Sequence, residues 1–353
     1  MMLNHLNHTP ATDEPHGGDL KRARALVGEG DWEDLSTGIS PWPWPVPEVP
    51  MAIWQRLPER GGALSEAAAN YYGVGAERVL ALPGSQFGIA RLPCYVPPGR
   101  VAVPAPGYAE HARAWRAAGH TVVTYHHWAG LDALVEAGSV DHLVLINPNN
   151  PTAEYLPLEA LRRWLTQLPS QSVVLVDEAF ADLTPECSVV PLLDKHSSLW
   201  VLRSVGKFFG LAGLRLGFLL GPAHHPVRRS LESELMPWGV SHLAQWVGAG
   251  ALSDTPWQQG QRERLGRASR ELEALWRDYL ARRLPEVTVA NGGLFVTLRG
   301  PGSVLHGLHE HLANQRLWLR LGADAEQGAA WLRCGLPPDG GARLAEALAV
   351  AKQ

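Results

Sequence analysis

The chain contains the stretch Leu199-Trp200-Val201-Leu202-Arg203-Ser204-Val205-Gly206-Lys207-Phe208-Phe209-Gly210-Leu211-Ala212-Gly213-Leu214-Arg215-Leu216-Gly217, which continues into Phe218-Leu219-Leu220. Two short apolar runs bracket a glycine-rich segment that carries Lys207. Apolar runs of this length with glycine punctuation read as buried strands. They would hold Lys207 rigidly, close to the end of a sheet. A lysine kept from water has a lowered pKa and can attack a carbonyl carbon. The competing reading is a lysine whose stem crosses apolar surface while its ammonium reaches water. The rest of the chain decides between them.

Outward from this stretch the same rhythm recurs. Short apolar, β-branched runs at 79–82, 100–103, 121–125, 142–146, 173–176, 199–202 and 216–220 alternate with helical patterns, notably at 108–118 and 158–168. Such alternation predicts an α/β layer with a mostly parallel seven-stranded sheet covered on both faces. Sheets of this kind place ligands outside the carboxyl ends of their strands. After Gly221 the rhythm stops. Helices are expected at 226–236, 242–252 and 261–282, the last amphipathic with Arg/Glu pairs on its polar face. Strands near 287–289, 294–297, 317–319 and 331–334, with helices at 304–313 and from Gly340, predict a smaller C-terminal α+β domain. The expected division is 1–48 for an arm and first helix, 49–275 for the large domain and 276–353 for the small one.

Before residue 49 a helix is expected at 20–27, preceded by His16-Gly17-Gly18-Asp19, where two glycines permit close backbone approach. Ser40-Pro41-Trp42-Pro43-Trp44-Pro45-Val46-Pro47 is too proline-dense for a helix and predicts an extended arm over an apolar surface, which a partner subunit could supply. A further helix is expected at 64–72, ending at Gly73.

Composition narrows the function classes. A chain of 353 residues with 46% hydrophobic and 19% charged content can bury a large core. The net charge of -4 creates no positive field, so no nucleic-acid partner is expected. The sequence has neither a membrane-length apolar run nor an opening that resembles a signal peptide. The expectation is a cytoplasmic protein with no membrane contact. Cys94, Cys187 and Cys334 lie far apart, without a disulfide framework, which suits a reducing compartment. The histidine pairs His126-His127 and His224-His225 are not spaced as ligands on one helix face, and no metal is expected.

Four features stand at the ends of inferred strands: Pro83-Gly84-Ser85-Gln86, Asn147-Pro148-Asn149-Asn150-Pro151-Thr152, Asp177-Glu178-Ala179-Phe180 and the Lys207 segment. Each alone is an ordinary loop former. Jointly they bring a nucleophilic amine, a carboxylate, amides, hydroxyls and an arginine to one rim. A cofactor bearing a phosphate, an aldehyde and a basic ring nitrogen would use them all.

With these motifs the chain resembles the fold-type I pyridoxal-phosphate enzymes of the class I/II aminotransferase superfamily, over nearly its whole length. The resemblance implies pyridoxal 5'-phosphate as cofactor and Lys207 as the residue that bonds its aldehyde and later shuttles protons. It implies that Asp177 pairs with the pyridine nitrogen, Asn150 donates to the ring hydroxyl and Tyr108 stacks on the ring. Gly84, Ser85, Gln86, Ser204 and Arg215 would form the phosphate pocket, and Arg333 would clamp the substrate carboxylate. Three positions depart from the wider pattern: Phe180 for a common tyrosine, Leu57 for a tyrosine that reaches the neighbouring subunit, and Gly206 for serine or alanine.

Within the superfamily, His16-Gly17-Gly18, the segment Asp34-Leu35-Ser36-Thr37-Gly38-Ile39-Ser40-Pro41 and Asp177-Glu178-Ala179-Phe180 are similar to threonine-phosphate decarboxylases of cobalamin synthesis. That implies release of CO2 from a phosphorylated amino acid, L-threonine O-3-phosphate, to give aminopropanol phosphate. His16, Gly17 and Gly18 would contact the substrate phosphate, with Arg320 a second candidate and Gly38 near the substrate. Gly38 and Ser40 stand where asparagines are frequent in that group. The alternative is a histidinol-phosphate-type aminotransferase, which shares the early chemistry but moves the Cα proton instead. The resemblance also implies a homodimer.

Overall fold

The structure, a computed structural model, describes residues 16–235, 237–324 and 328–350. The chain enters through α1 (Leu20–Val27), capped where the Asp19 side chain accepts from the Arg22 amide, and β1 (Glu33–Asp34). An extended arm leads to α2 (Met51–Gln55) and α3 (Ala63–Tyr72), which stops at Gly73 with φ +70°.

The large domain then alternates β2 (Val79–Leu82), α4 (Ser85–Arg91), β3 (Arg100–Pro104), α5 (Ala109–Ala117), β4 (Thr121–Tyr125) and α6 (Trp128–Glu136). It continues through β5 (His142–Ile146), α7 (Leu158–Gln167), β6 (Val174–Asp177), β7 (Leu199–Ser204) and β8 (Gly217–Leu220). The strands form one seven-stranded sheet in the order β2-β8-β7-β6-β5-β3-β4. It is parallel from β7 to β4, and β8 runs antiparallel to both its neighbours. Successive side chains point to opposite faces, and this divides the apolar runs between two layers. Leu143, Leu145, Val174, Val176 and Val201 pack with α6 and α7 residues such as Leu131 and Trp164. Val144, Leu175, Trp200 and Leu202 pack the other way, with Ile89, Trp115 and Leu231. Burial on both faces explains why these strands read as continuous apolar runs.

Beyond β8 come α8 (Pro226–Glu234), α9 (His242–Ser253) and α10 (Thr255–Arg283). The last helix starts earlier than periodicity suggests, because Asp254 caps it by accepting from the Trp257 amide and a proline occupies its first turn. The small domain adds β9 (Thr288–Asn291), β10 (Phe295–Pro301), α11 (Gly302–Asn314), β11 (Leu317–Trp318), β12 (Arg320–Ala323), β13 (Ala329–Gly335) and α12 (Ala342–Ala349). Four strands make an antiparallel sheet in the order β12-β13-β10-β9.

Three details differ from expectation. The strand at 317–319 ends at Trp318 and pairs with β1 in parallel, Glu33 beside Leu317 and Asp34 beside Trp318. The N-terminal segment therefore packs on the small domain, where Ala23, Ala313 and Trp318 share an apolar cluster. β12, polar and glycine-bearing, had no strand signal in sequence and is defined by its pairing with β13. The arm lies on its own chain. Trp44 is buried and donates through Nε1 to Asp254 Oδ2 at 3.0 Å, and Gln261 Nε2 donates to Ser40 Oγ and the Trp42 carbonyl, each at 2.8 Å. Among the described residues no helix is long and apolar enough to cross a membrane.

Candidate active site

Lys207 sits in the connection between β7 and β8, whose pairing of Ser204 with Gly217 closes the loop at its base. Its backbone carbonyl accepts from the Ser40 amide at 3.0 Å and the Gly210 amide at 3.1 Å. Burial pushes the ammonium's pKa down to about 8, and Arg333 adds to the effect while Asp177 opposes it. The amine thus loses its proton far more readily than an exposed lysine. Nζ lies 5.4 Å from the centroid of the Phe180 ring.

Asp177 closes β6 and is buried. Its Oδ2 stands 2.9 Å from His111 Nε2, and its Oδ1 accepts from the Ala179 amide at 3.1 Å. His111, on α5 and fully buried, is a member of the site that sequence reasoning missed. Its signal was the spacing from Tyr108, since residues three apart share a helix face. Tyr108 donates its hydroxyl to Gln86 Oε1 at 3.0 Å, and burial pushes its pKa up to about 12, so the phenol keeps its proton.

At the opposite end of the pocket, Gly84 adopts φ +82°, and a Cβ there would stand 2.7 Å from Arg215 Nη2. A Cβ at Gly217 would come within 2.4 Å of the Ser85 amide nitrogen. Two glycines thus let the first turn of α4, Ser204 and Arg215 crowd together. Arg215 itself takes a left-handed φ of +55°, an uncommon conformation for a side-chain-bearing residue.

The small domain supplies the remaining wall. Arg320 on β12 and Arg333 on β13 are directly paired across the sheet. Arg333 is buried and donates through Nη1 to Asn150 Oδ1 and through Nη2 to the Ser36 carbonyl. Burial and the nearby Arg320 push its pKa down to about 9, while Asp34 opposes them. His16 Nε2 stands 3.4 Å from Glu110 Oε1 at the pocket mouth. Gly17 packs so tightly that a Cβ would lie 2.5 Å from the Ser36 carbonyl oxygen.

The cavity has a volume of about 440 Å³. It is lined by His16, Gly17, Gly38, Gly84, Ser85, Gln86, Tyr108, Asn150, Asp177, Ser204, Lys207, Arg215, Arg320 and Arg333, so the fold brings together residues from both ends of the sequence. Gly18 is the exception among the sequence candidates. It lies outside the lining, its amide donating to Ser36 Oγ at 2.8 Å, so this glycine shapes the loop and presents no donor to the pocket. Gly38 is explained by its neighbours: a Cβ would lie 2.6 Å from Phe180 Cε1 and 3.3 Å from Phe295 Cδ1. Leu57 is exposed and Gly206 lines the pocket beside Lys207.

Behind the site lies a second group not foreseen from sequence. Arg203 pairs with Glu178 at 2.7 Å and Asp182 at 2.6 Å, all three buried. Glu178 also accepts from Ser188 Oγ, the Val189 amide and Asn147 Nδ2. This ties the carboxyl ends of β5, β6 and β7 where the pocket residues begin.

A family model for aminotransferase class I and II matches residues 58–348, and the chain belongs to that family. It is 43% identical to the threonine-phosphate decarboxylase of Pseudomonas aeruginosa, across 92% of this chain and 93% of that one. It is 39% identical to the threonine-phosphate decarboxylase of a Sinorhizobium species, across 95% and 97%. Among solved structures it is similar to histidinol-phosphate aminotransferase from Sinorhizobium meliloti in complex with pyridoxal-5'-phosphate. The TM-score is 0.78 over 94% of this chain and 92% of that chain, at 18% identity, a likeness of fold.

Proposed function

We propose that the protein is a pyridoxal 5'-phosphate-dependent carbon–carbon lyase that converts L-threonine O-3-phosphate to (R)-1-amino-2-propanol O-phosphate and CO2. The observation that carries this reading is the pairing of Arg320 with Arg333 on a wall facing Lys207. A substrate with two anionic groups would meet two guanidiniums on this wall. The names of the two related decarboxylases support the same substrate.

The residues present fit the cofactor. Lys207 has the lowered pKa that a carbonyl-bonding amine needs. Asp177 accepts from two donors that stabilise its carboxylate, suiting it to hold a protonated pyridine nitrogen. Gly84, Ser85, Gln86, Ser204 and Arg215 offer amides, hydroxyls and a guanidinium for a phosphate. Asn150 would meet the ring hydroxyl and Tyr108 the ring face.

When bound, the cofactor supplies a conjugated ring that accepts the electron pair of the broken Cα–C bond. The chain's part is orientation and proton transfer. Arg333 would hold the substrate carboxylate while Arg320 and His16 hold the phosphate, fixing the rotation about Cα from both ends. Residues that fix the carboxylate and the phosphate in this way would favour loss of CO2 over loss of the Cα proton. Lys207 then delivers a proton to Cα.

Incubation of the purified protein with L-threonine O-3-phosphate tests this. CO2 and the amine phosphate are expected in equal amounts without any added keto acid. Amino transfer that depends on a 2-oxoacid, without CO2, overturns it in favour of an aminotransferase. The assigned reaction implies a cytoplasmic role in cobalamin biosynthesis. The exposed apolar side chains Met51, Trp54, Leu57 and Trp238 support a homodimer, which sedimentation of the holoenzyme tests.

A further inference from the structure

Thr297 is a polar residue in the middle of an apolar strand, Phe295-Val296-Thr297-Leu298, and is buried. In the register of the small sheet Thr297 is opposite Arg333, and Arg333 is opposite Arg320. Directly opposed residues share a face, so the three side chains form one row toward the large domain. Two of the three line the pocket. The Thr297 hydroxyl donates to the carbonyl of Pro151, far away in sequence and next to Asn150.

Asn150 is therefore held from two sides. Arg333 Nη1 donates to its Oδ1. A guanidinium can only donate, so the amide oxygen faces Arg333 and Nδ2 is the donor left for the cavity. The orientation of that donor depends on the loop that carries it, and Thr297 fixes the loop one residue further on. Asn149 braces the other side through Nδ2, which donates to the Pro106 carbonyl at 3.0 Å and Thr152 Oγ1 at 2.8 Å.

We infer that Thr297 is a positioning residue: its hydroxyl, by holding the Pro151 carbonyl, sets the angle from which Asn150 Nδ2 reaches the ring hydroxyl of the cofactor. The inference rests on the reading of Asn150 given above. A firm donor at the ring oxygen stabilises its anion and weakens its hold on the proton shared with the lysine nitrogen. A loosened donor does the reverse. A change of Thr297 to a neutral residue leaves the charges that face Lys207, those of Arg333, Asp177, Arg215 and Arg320, the same in number.

The test is a pH titration of the visible absorbance of the holoenzyme. Thr297→Val removes the hydroxyl at nearly constant shape and is expected to raise the midpoint by about 0.5 to 1 pH unit. Thr297→Ala gives the same direction, Thr297→Ser returns the midpoint to that of the unchanged protein, and the affinity for pyridoxal 5'-phosphate falls about threefold to tenfold in the first two. Asn150→Ala moves the midpoint upward at least as far, and adding Thr297→Val to it moves it no further. If Asn150→Ala shifts the midpoint and Thr297→Val does not, the role given to Thr297 is wrong while the site reading stands. If Thr297→Ser fails to restore the midpoint, the hydroxyl is not the cause and the inference falls. If Asn150→Ala leaves the midpoint unmoved, the reading of Asn150 fails and takes the inference with it.

Discussion

Arg320 and Arg333 stand opposite one another on neighbouring antiparallel strands, both lining the same cavity. Like charges in that relationship repel, and the repulsion contributes to the lowered pKa of Arg333. In the proposed reaction an anion would bind between or beside the two guanidiniums. Inorganic phosphate, or L-threonine O-3-phosphate, is therefore expected to raise the melting temperature of the protein. In Arg320→Met that rise shrinks, and KM for the phosphorylated substrate increases by roughly tenfold or more, as expected when a charged hydrogen bond worth about 1.5–3 kcal/mol is lost. Calorimetry with and without phosphate, together with steady-state kinetics, checks both effects.

Lys207 gives a pH dependence of known sign. Its folded pKa of about 8 lies below the ordinary 10.5. Below pH 8 the ammonium is protonated in both folded and unfolded chains, and the folded state bears the full cost of burying it. As pH rises from 8 toward 10.5 the folded chain sheds its proton first, and the cost disappears. Cofactor-free protein should thus gain up to about 3 kcal/mol from this group across that window. Lys207→Met should flatten the gain and also abolish covalent attachment of pyridoxal 5'-phosphate. Denaturant unfolding at a series of pH values measures the difference.

His111 is expected to act through Asp177. Its imidazole Nε2 lies 2.9 Å from the carboxylate, inside a fully buried setting. His111→Phe removes that contact while keeping bulk. We expect kcat to fall about tenfold to a hundredfold, in keeping with a loss of about 1.5–3 kcal/mol from one buried hydrogen bond to a charged group. Stopped-flow comparison of substrate binding and turnover separates this from a loss of affinity.

Gly38 and Phe180 should prove interdependent. A methyl group at Gly38 would meet the Phe180 ring at 2.6 Å, and that ring packs edge-on against Phe295 with centroids 5.1 Å apart. Gly38→Ala should cost about 1–3 kcal/mol through overpacking. Adding Phe180→Leu should recover part of that loss. A double-mutant cycle in denaturant reads the coupling, and strict additivity would show that the two positions do not share space.

Much of the large domain was legible because its strands are buried on both faces and bounded by glycine, proline and asparagine. Lys207, Asp177 and the Gly84-Ser85-Gln86 turn stood out since each interrupts or ends such a run. What stayed hidden depends on contacts distant in sequence. His111 looks like any helical histidine until Asp177 is brought beside it. The tie between Glu178 and Arg203 joins neighbouring strands and leaves no periodic trace. β12 has a glycine and an arginine where an apolar alternation would be expected, and only its partner strand makes it a strand. The arm's tryptophans correctly signalled an apolar resting place. Composition could not say that α9 and α10 of the same chain would help to provide it.

The segment from Ser36 to Ser40 has a further consequence. At one end the Ser36 carbonyl takes a hydrogen bond from Arg333, and at the other the Ser40 amide grips the carbonyl of Lys207. A short stretch of main chain thus connects the Arg333 guanidinium with the backbone of Lys207. In the proposed reaction, an anion that drew Arg333 away from the Ser36 carbonyl would loosen the same stretch that holds the peptide of Lys207.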